Sequence, residues 1–226
     1  MSGAPGGLGD RAFEAEGGGA YARVPLGLLV AGSLVLGASG FAPPAGRLNW
    51  FLEVLPVLLG IGAFVTTYRR FPFSHLVYVG AFLHLLILVY GGYYTYALTP
   101  LGNWAKDAFH LARNHYDRVG HVALGFFPVL ILREIYLRRT ALEQGGWFTF
   151  AMLGIVLGIA AFWELIEWWT TLLVAGDVGQ AYLGTQGDPW DAHWDMFLAL
   201  IGAAVSLRLL SRAHDRSIAR IPRRAA

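Results

Sequence analysis

The sequence predicts an all-α integral membrane bundle, polytopic, with about six transmembrane helices and both termini in the cytoplasm. Three observations carry this. The 226 residues are 56% hydrophobic and 14% charged, whereas soluble domains carry about a quarter charged residues. Six stretches approach the length of about 20 mainly apolar residues that a spanning helix needs. The arginines gather in alternate connections, which sets the orientation. Cysteine is absent, which removes disulfides, thiolate metal ligands and cysteine nucleophiles and leaves the redox compartment open.

In chain order, residues 1–22 are Gly-rich, with Asp10, Glu14 and Glu16 alternating with Arg11, and predict a disordered cytoplasmic tail. The small residues Ala38-Ser39-Gly40 offer a cleavage site, but an acidic leader this long argues against a signal peptide. The spans fall at 24–41, 50–67, 72–91, 119–137, 147–174 and 193–210, giving a membrane domain over 23–210. Arg69 and Arg70 follow the second span, and Arg133, Arg138 and Arg139 follow the fourth. The basic tail 211–226 continues the series from Arg208 through Arg212, Arg216, Arg220, Arg223 and Arg224. Positive-inside places these segments in the cytoplasm. The four-residue spacing of Arg208 to Arg220 makes one helical stripe suited to anionic lipid head groups; plain topology-setting charge reads equally well. No basic, aromatic-interleaved face for nucleic acid is present.

On the opposite, extracytoplasmic side lie the Pro43-Pro44 connection, a long loop over 92–118 and an acidic loop over 175–192. The unusual polar residues also fall in this outer half. His84 lies seven residues before Gly91, about 10 Å below the outer end. Asp117 and His121 share a face, as do Glu164 and Glu167, and Asp191 and Asp195. Glu53 sits near the outer start of the second span. Polar residues that served separate local roles would scatter through the depth, so one site is expected. The inner half is nearly free of ionisable groups, and His75 and His214 fall on the cytoplasmic side, away from it.

Each residue also has a plainer reading. His84 suits a core histidine, Glu53 an interfacial carboxylate, and Asp117/His121 an intrahelical pair at a helix start. Trp163, Trp168, Trp169 and the tyrosines Tyr93, Tyr94 and Tyr96 suit an interfacial belt. Glu164 and Glu167 resist such a reading, because two carboxylates desolvated together share a proton or a cation.

Asp188-x-x-Asp191-x-x-x-Asp195 is not an EF-hand loop. Its spacing is that by which membrane prenyltransferases hold magnesium diphosphates, without a second Asp-rich motif to complete it. Carboxylates and imidazoles without thiolate suit magnesium, manganese, iron or zinc, and the set resembles two-metal sites in helical bundles while lacking their Glu-x-x-His motif. The expected metal ligands are Asp117, His121, Glu164, Glu167, Asp188, Asp191, His193 and Asp195. Glu164, Glu167 and His121 are the expected catalytic acid–base groups, with His84, Arg113, His115, Tyr94 and Gln186 as further candidates.

Arg113-Asn114-His115-Tyr116-Asp117-Arg118-Val119-Gly120-His121, Glu164-Leu165-Ile166-Glu167-Trp168 and the stretch from Tyr182 to His193 closely resemble the YjdF-like family of bacterial inner-membrane proteins. Arg69-Arg70-Phe71-Pro72 and Tyr94-Thr95-Tyr96 are similar to its other signature stretches. The resemblance runs from the second span to the sixth. It implies a multi-pass protein of the bacterial inner membrane and a domain of unknown function, with no reaction attached. The family pattern has a His-rich segment before Tyr94, where this chain has Tyr90-Gly91-Gly92-Tyr93. The resemblance thus implies a ligand lost from the third span or moved to His84.

Three functions compete. A metal-dependent hydrolase or transferase would act on a lipid-linked or small periplasmic substrate. A proton- or ion-coupled transporter would relay through Glu164, Glu167 and Asp195, but a relay has to extend across the bilayer. An assembly or sensing protein would use the charges to hold helices together, although buried charges are a poor source of stability.

Overall fold

The computed structural model describes residues 19–174, 176, 179, 183 and 185–222. The expected tail over 1–18, Tyr182 and Gly184 of the acidic motif, and Arg223 and Arg224 lie outside the described residues. Among the described residues eight α-helices follow one another: α1 (Gly19–Ser39), α2 (Arg47–Thr67), α3 (His75–Tyr94), α4 (Pro100–Ala108), α5 (Tyr116–Phe126), α6 (Pro128–Arg139), α7 (Gly146–Leu173) and α8 (Asp191–Ile218). No strand occurs among the described residues. Six helical segments are long and apolar enough to cross a bilayer, with α5 and α6 together forming the fourth. Inside hydrocarbon only a helix satisfies its own backbone, so these apolar runs have no other stable form. Their outward faces stay apolar: Leu34, Leu59, Phe150, Leu172 and Leu209 are each about two-thirds exposed to lipid.

The structure departs from the sequence expectations at four places. The fourth span breaks at Phe127, because Pro128 lacks the N–H that would continue the ladder. The connection expected as a loop over 92–118 folds into a 3₁₀ turn, Tyr96–Leu98, and the nine-residue α4. The last helix continues beyond residue 210 to Ile218, so the first part of the expected tail is helical. Its 28 residues span about 42 Å, more than a hydrocarbon core of about 30 Å.

The fourth departure is chemical. The helix ends far from Asp117 are not poor in ionisable groups. Glu134 and His214 are fully buried and bonded at 3.1 Å. Glu134 also accepts from the Ser74 backbone N–H and from Arg138 at 2.6 Å. Arg133, 1% exposed, reaches Asp215 at 2.8 Å and Gln144 at 2.9 Å. His75 stacks on Tyr21 and bonds to its carbonyl. This network pins the Arg69–Ser74 turn to α6 and α8. Its members are far apart in sequence, which hid it from a reading along the chain.

Packing is closest between α5 and α8. A Cβ on Gly125 would meet the Ala199 carbonyl, and one on Gly202 would meet the Val122 carbonyl. Only glycine lets the two backbones touch in this way. One apolar core joins α3, α6, α7 and α8 through Val77, Leu130, Met152, Val156, Ala160, Ala199 and Ala203. A second joins α1, α2 and α3 through Leu36, Val54, Val57, Leu85 and Val89.

Candidate functional site

Two registers decide the site. The α5–α8 glycine contact sets the starts of both helices side by side, which brings Asp117 and His121 of α5 against Asp195 of α8. A ligand-type atom from each of these three residues lies within 4.8 Å of the other two. On α5 itself, His121 Nε2 is 3.7 Å from Asp117 Oδ1, the neighbour one turn away. On the other side of the ring, His121 Nδ1 is 3.8 Å from Glu164 Oε1 of α7. Asp117, His121 and Asp195 thus form one cluster, with Glu164 beside the other nitrogen of the His121 ring.

Three of the facing atoms, His121 Nδ1, Glu164 Oε1 and Asp195 Oδ1, are buried and have no hydrogen-bond partner. A buried polar atom without a partner costs about 1–3 kcal/mol, more when it is charged. These three belong to α5, α7 and α8, and beside them Asp117, His121 and Asp195 form a cluster whose ligand-type atoms could hold a metal ion. Glu167, one turn further along α7, is also buried, as is Glu53 on α2. Glu53 packs against Gly92 of α3, where a Cβ would crowd its own.

Tyr96 completes the surround. Thr95 has φ 63, an uncommon left-handed conformation for a non-glycine residue, and it turns the chain at the end of α3. The Tyr96 ring then lies on Gly91 and Gly120, where a Cβ at either position would strike it. Burial pushes the phenol well above the ordinary tyrosine range, and Glu53, Asp117, Tyr116 and Glu167 push it further. It is therefore a neutral hydroxyl facing carboxylates. The sequence reading set Tyr96 among belt aromatics and chose Tyr94, whose ring packs on Tyr90 and Tyr93. The signal available was the pair of glycines, and only the fold sets both against one ring.

The acidic loop is held by the segment before α5 and by the first turn of α5. Arg113, 8% exposed, donates to Asp191 at 2.5 Å and to the Thr185 carbonyl at 2.9 Å, and lies 3.7 Å from Asp188. Arg118 donates to Asp188 at 2.7 Å and lies over the Trp194 ring. The Gln186 amide pairs with the Asn114 backbone in both directions, at 3.2 and 2.8 Å. Asn114, which the sequence reading passed over, accepts from Tyr116 N–H with its Oδ1 and donates to the Thr99 carbonyl. It is the junction of the loop, α4 and the start of α5.

The expected ligand set therefore divides. Asp117, His121 and Asp195 converge, Glu164 reaches the other nitrogen of His121, and Glu167 is one turn away along α7. Asp188 and Asp191 are taken up by arginines. His193 is exposed and meets Trp190 edge-on at 5.2 Å. His115 stands beside both arginines; burial first, then Arg118 and Arg113, holds its imidazole below the usual histidine range. His84 lies deeper, stacked on Phe127 at 5.8 Å, with a buried Nε2 that has no partner.

A family described as a predicted membrane protein (DUF2238) matches residues 24–216. The chain is 41% identical over 174 residues to the inner membrane protein YjdF of Escherichia coli (strain K12), an alignment covering 77% of this chain and 83% of that protein. No solved structure matches. The family match covers nearly all of the helical region, and the relative bears out the resemblance seen in the motifs. The chain belongs to the DUF2238 family of predicted membrane proteins and is a multi-pass protein of the bacterial inner membrane.

Proposed function

We propose that Asp117, His121, Glu164 and Asp195 hold a divalent metal ion, and that the protein is a metal-dependent hydrolase or transferase acting on a lipid-linked or periplasmic substrate. The observation that supports this is the approach of Asp117, His121 and Asp195 to within 4.8 Å of one another, with the partnerless Glu164 Oε1 3.8 Å from His121 Nδ1. Three carboxylates with one imidazole suit magnesium, manganese, iron or zinc. When bound, the ion supplies Lewis-acid polarisation of a carbonyl or phosphoryl oxygen. Glu167, one turn from Glu164, accepts the proton of an attacking water or hydroxyl. The Tyr96 hydroxyl donates to the oxygen on which charge develops. Arg113 and Arg118 hold the acidic loop over the site and lend positive charge to its rim.

The site faces the periplasm in this reading, with both termini cytoplasmic, because Arg69, Arg70, Arg138 and Arg139 all lie at the opposite helix ends. Arg208, Arg212, Arg216 and Arg220 are exposed along the end of α8. That stripe suits anionic lipid head groups.

A carrier reading gains the buried Glu134–His214 pair at the far end. Between that pair and Asp195, however, α8 buries Ala199, Gly202, Ala203 and Ser206, and α7 buries Met152, Val156 and Ala160. One hydroxyl in that apolar interval makes no proton path, so the enzyme reading is preferred. The test is elemental analysis of the purified full-length protein beside Asp117→Asn/Asp195→Asn. Metal near one equivalent or more in the wild type, lost in the double variant, is expected. Metal-free wild type, or equal content in both, overturns the reading.

A further inference from the structure

Beneath the ionisable cluster lies a cavity of about 530 Å³ between α1, α2, α3 and the α5–α6 junction. On α2 its wall runs from Pro56 to Tyr68, a rise of about 18 Å along the membrane normal. That volume over that length leaves a mean cross-section of about 30 Å², the width of one extended chain, and the volume falls within the range of ligand sites, about 300–1,000 Å³. The wall is apolar along its length. Leu26 and Val65 line it and are 59% and 52% exposed, so it opens sideways toward lipid between α1 and α2.

Its upper end is placed by the same helices that build the cluster. Val57, Leu88 and Leu124 line the cavity and stand one helical turn below Glu53, Gly92 and His121. His84 also lines it, with a buried Nε2 that has no hydrogen-bond partner. A soluble substrate has no use for a long hydrocarbon-lined slot that opens into the bilayer.

We propose that this cavity holds one hydrocarbon chain of a membrane lipid whose polar head lies at the Asp117–His121–Glu164–Asp195 cluster, making an amphiphile the substrate of the site. The inference rests on the cluster being the reacting centre, but the cavity can be tested apart from it. Full-length protein is reconstituted in vesicles of phosphatidylglycerol carrying a photoactivatable diazirine at mid-chain, irradiated, and the labelled residues are mapped by mass spectrometry. Labelling is expected to concentrate on Phe64, Leu85, Leu88 and Phe127 over the lipid-facing Phe150 and Leu157 of α7. Gly60 lines the cavity and a Cβ there meets nothing, so Gly60→Phe is the substitution chosen to put a ring into the slot. It should abolish most of that labelling while metal content stays at the wild-type level.

Uniform labelling of all lipid-facing helices, or labelling unchanged by Gly60→Phe, overturns the cavity assignment even when metal is bound. Concentrated labelling in a protein that binds no metal upholds the cavity and removes the metal reading instead. Should Gly60→Phe fail to fold, Gly60→Leu carries the same test, and the wild-type map alone distinguishes slot from surface.

Discussion

Gly125 offers the sharpest link between packing and the candidate site, because α5 and α8 carry all three clustered residues, Asp117, His121 and Asp195. A Cβ at Gly125 would overlap the Ala199 carbonyl oxygen and crowd the Ala203 N–H, both of them backbone and neither able to swing aside. Ordinary Cβ contacts start at 3.4 Å, so Gly125→Ala forces the two helices apart by on the order of 1 Å. Overpacking of this kind costs about 1–3 kcal/mol. The same displacement exceeds the tolerance of about 0.5 Å within which a ligand set works, so Asp195 is drawn away from Asp117 and His121. The measurements are the thermal midpoint in detergent and the metal content of the purified variant. Gly158→Ala on α7 is the control, since its Cβ would meet nothing and alanine improves helix propensity by about 1 kcal/mol. Gly125→Ala should lower both the midpoint and the metal content, while Gly158→Ala lowers neither. If the two variants behave alike, glycine contact does not set the site.

Two further outcomes follow from the far end of the bundle and from the topology. Glu134→Ala leaves Arg138, His214 and the Ser74 N–H without their shared acceptor, and breaking a buried ion pair costs about 3–5 kcal/mol. A marked fall in the thermal midpoint is expected, with metal content preserved in whatever folds; an unchanged midpoint would show the network to be dispensable. The chain has no cysteine, so Pro189→Cys in the acidic loop and Ala219→Cys after α8, both exposed positions, each give one reporter. In right-side-out vesicles a membrane-impermeant thiol reagent should label Pro189→Cys and spare Ala219→Cys; the reverse pattern inverts the orientation.

The acidic motif and the glutamate pair were legible as a candidate site because carboxylates inside apolar runs are costly wherever they occur, and that cost is written in composition alone. The depth of each residue could also be counted from the helix ends. Counting failed where a side chain's partner lies on another helix. Asp188 and Asp191 looked like metal ligands by spacing, but Arg113, just before α5, and Arg118, in its first turn, approach them from 70 or more residues earlier. Glu134 and His214 are 80 residues apart and looked unremarkable one at a time. Tyr96 differs from its tyrosine neighbours only in the two glycines its ring lies upon.

The sequence by itself determined that the chain is helical, crosses the membrane about six times and concentrates its outer ionisable residues near one end. Hydropathy and helix period are local properties, and the bilayer leaves an apolar segment few alternatives. The tertiary structure decided which of those residues meet. Gly125 and Gly202 let α5 and α8 touch, and from that contact Asp117, His121 and Asp195 converge while His193 remains outside. Convergence depends on the rotation and register of helices about one another, which close packing fixes and no single segment encodes.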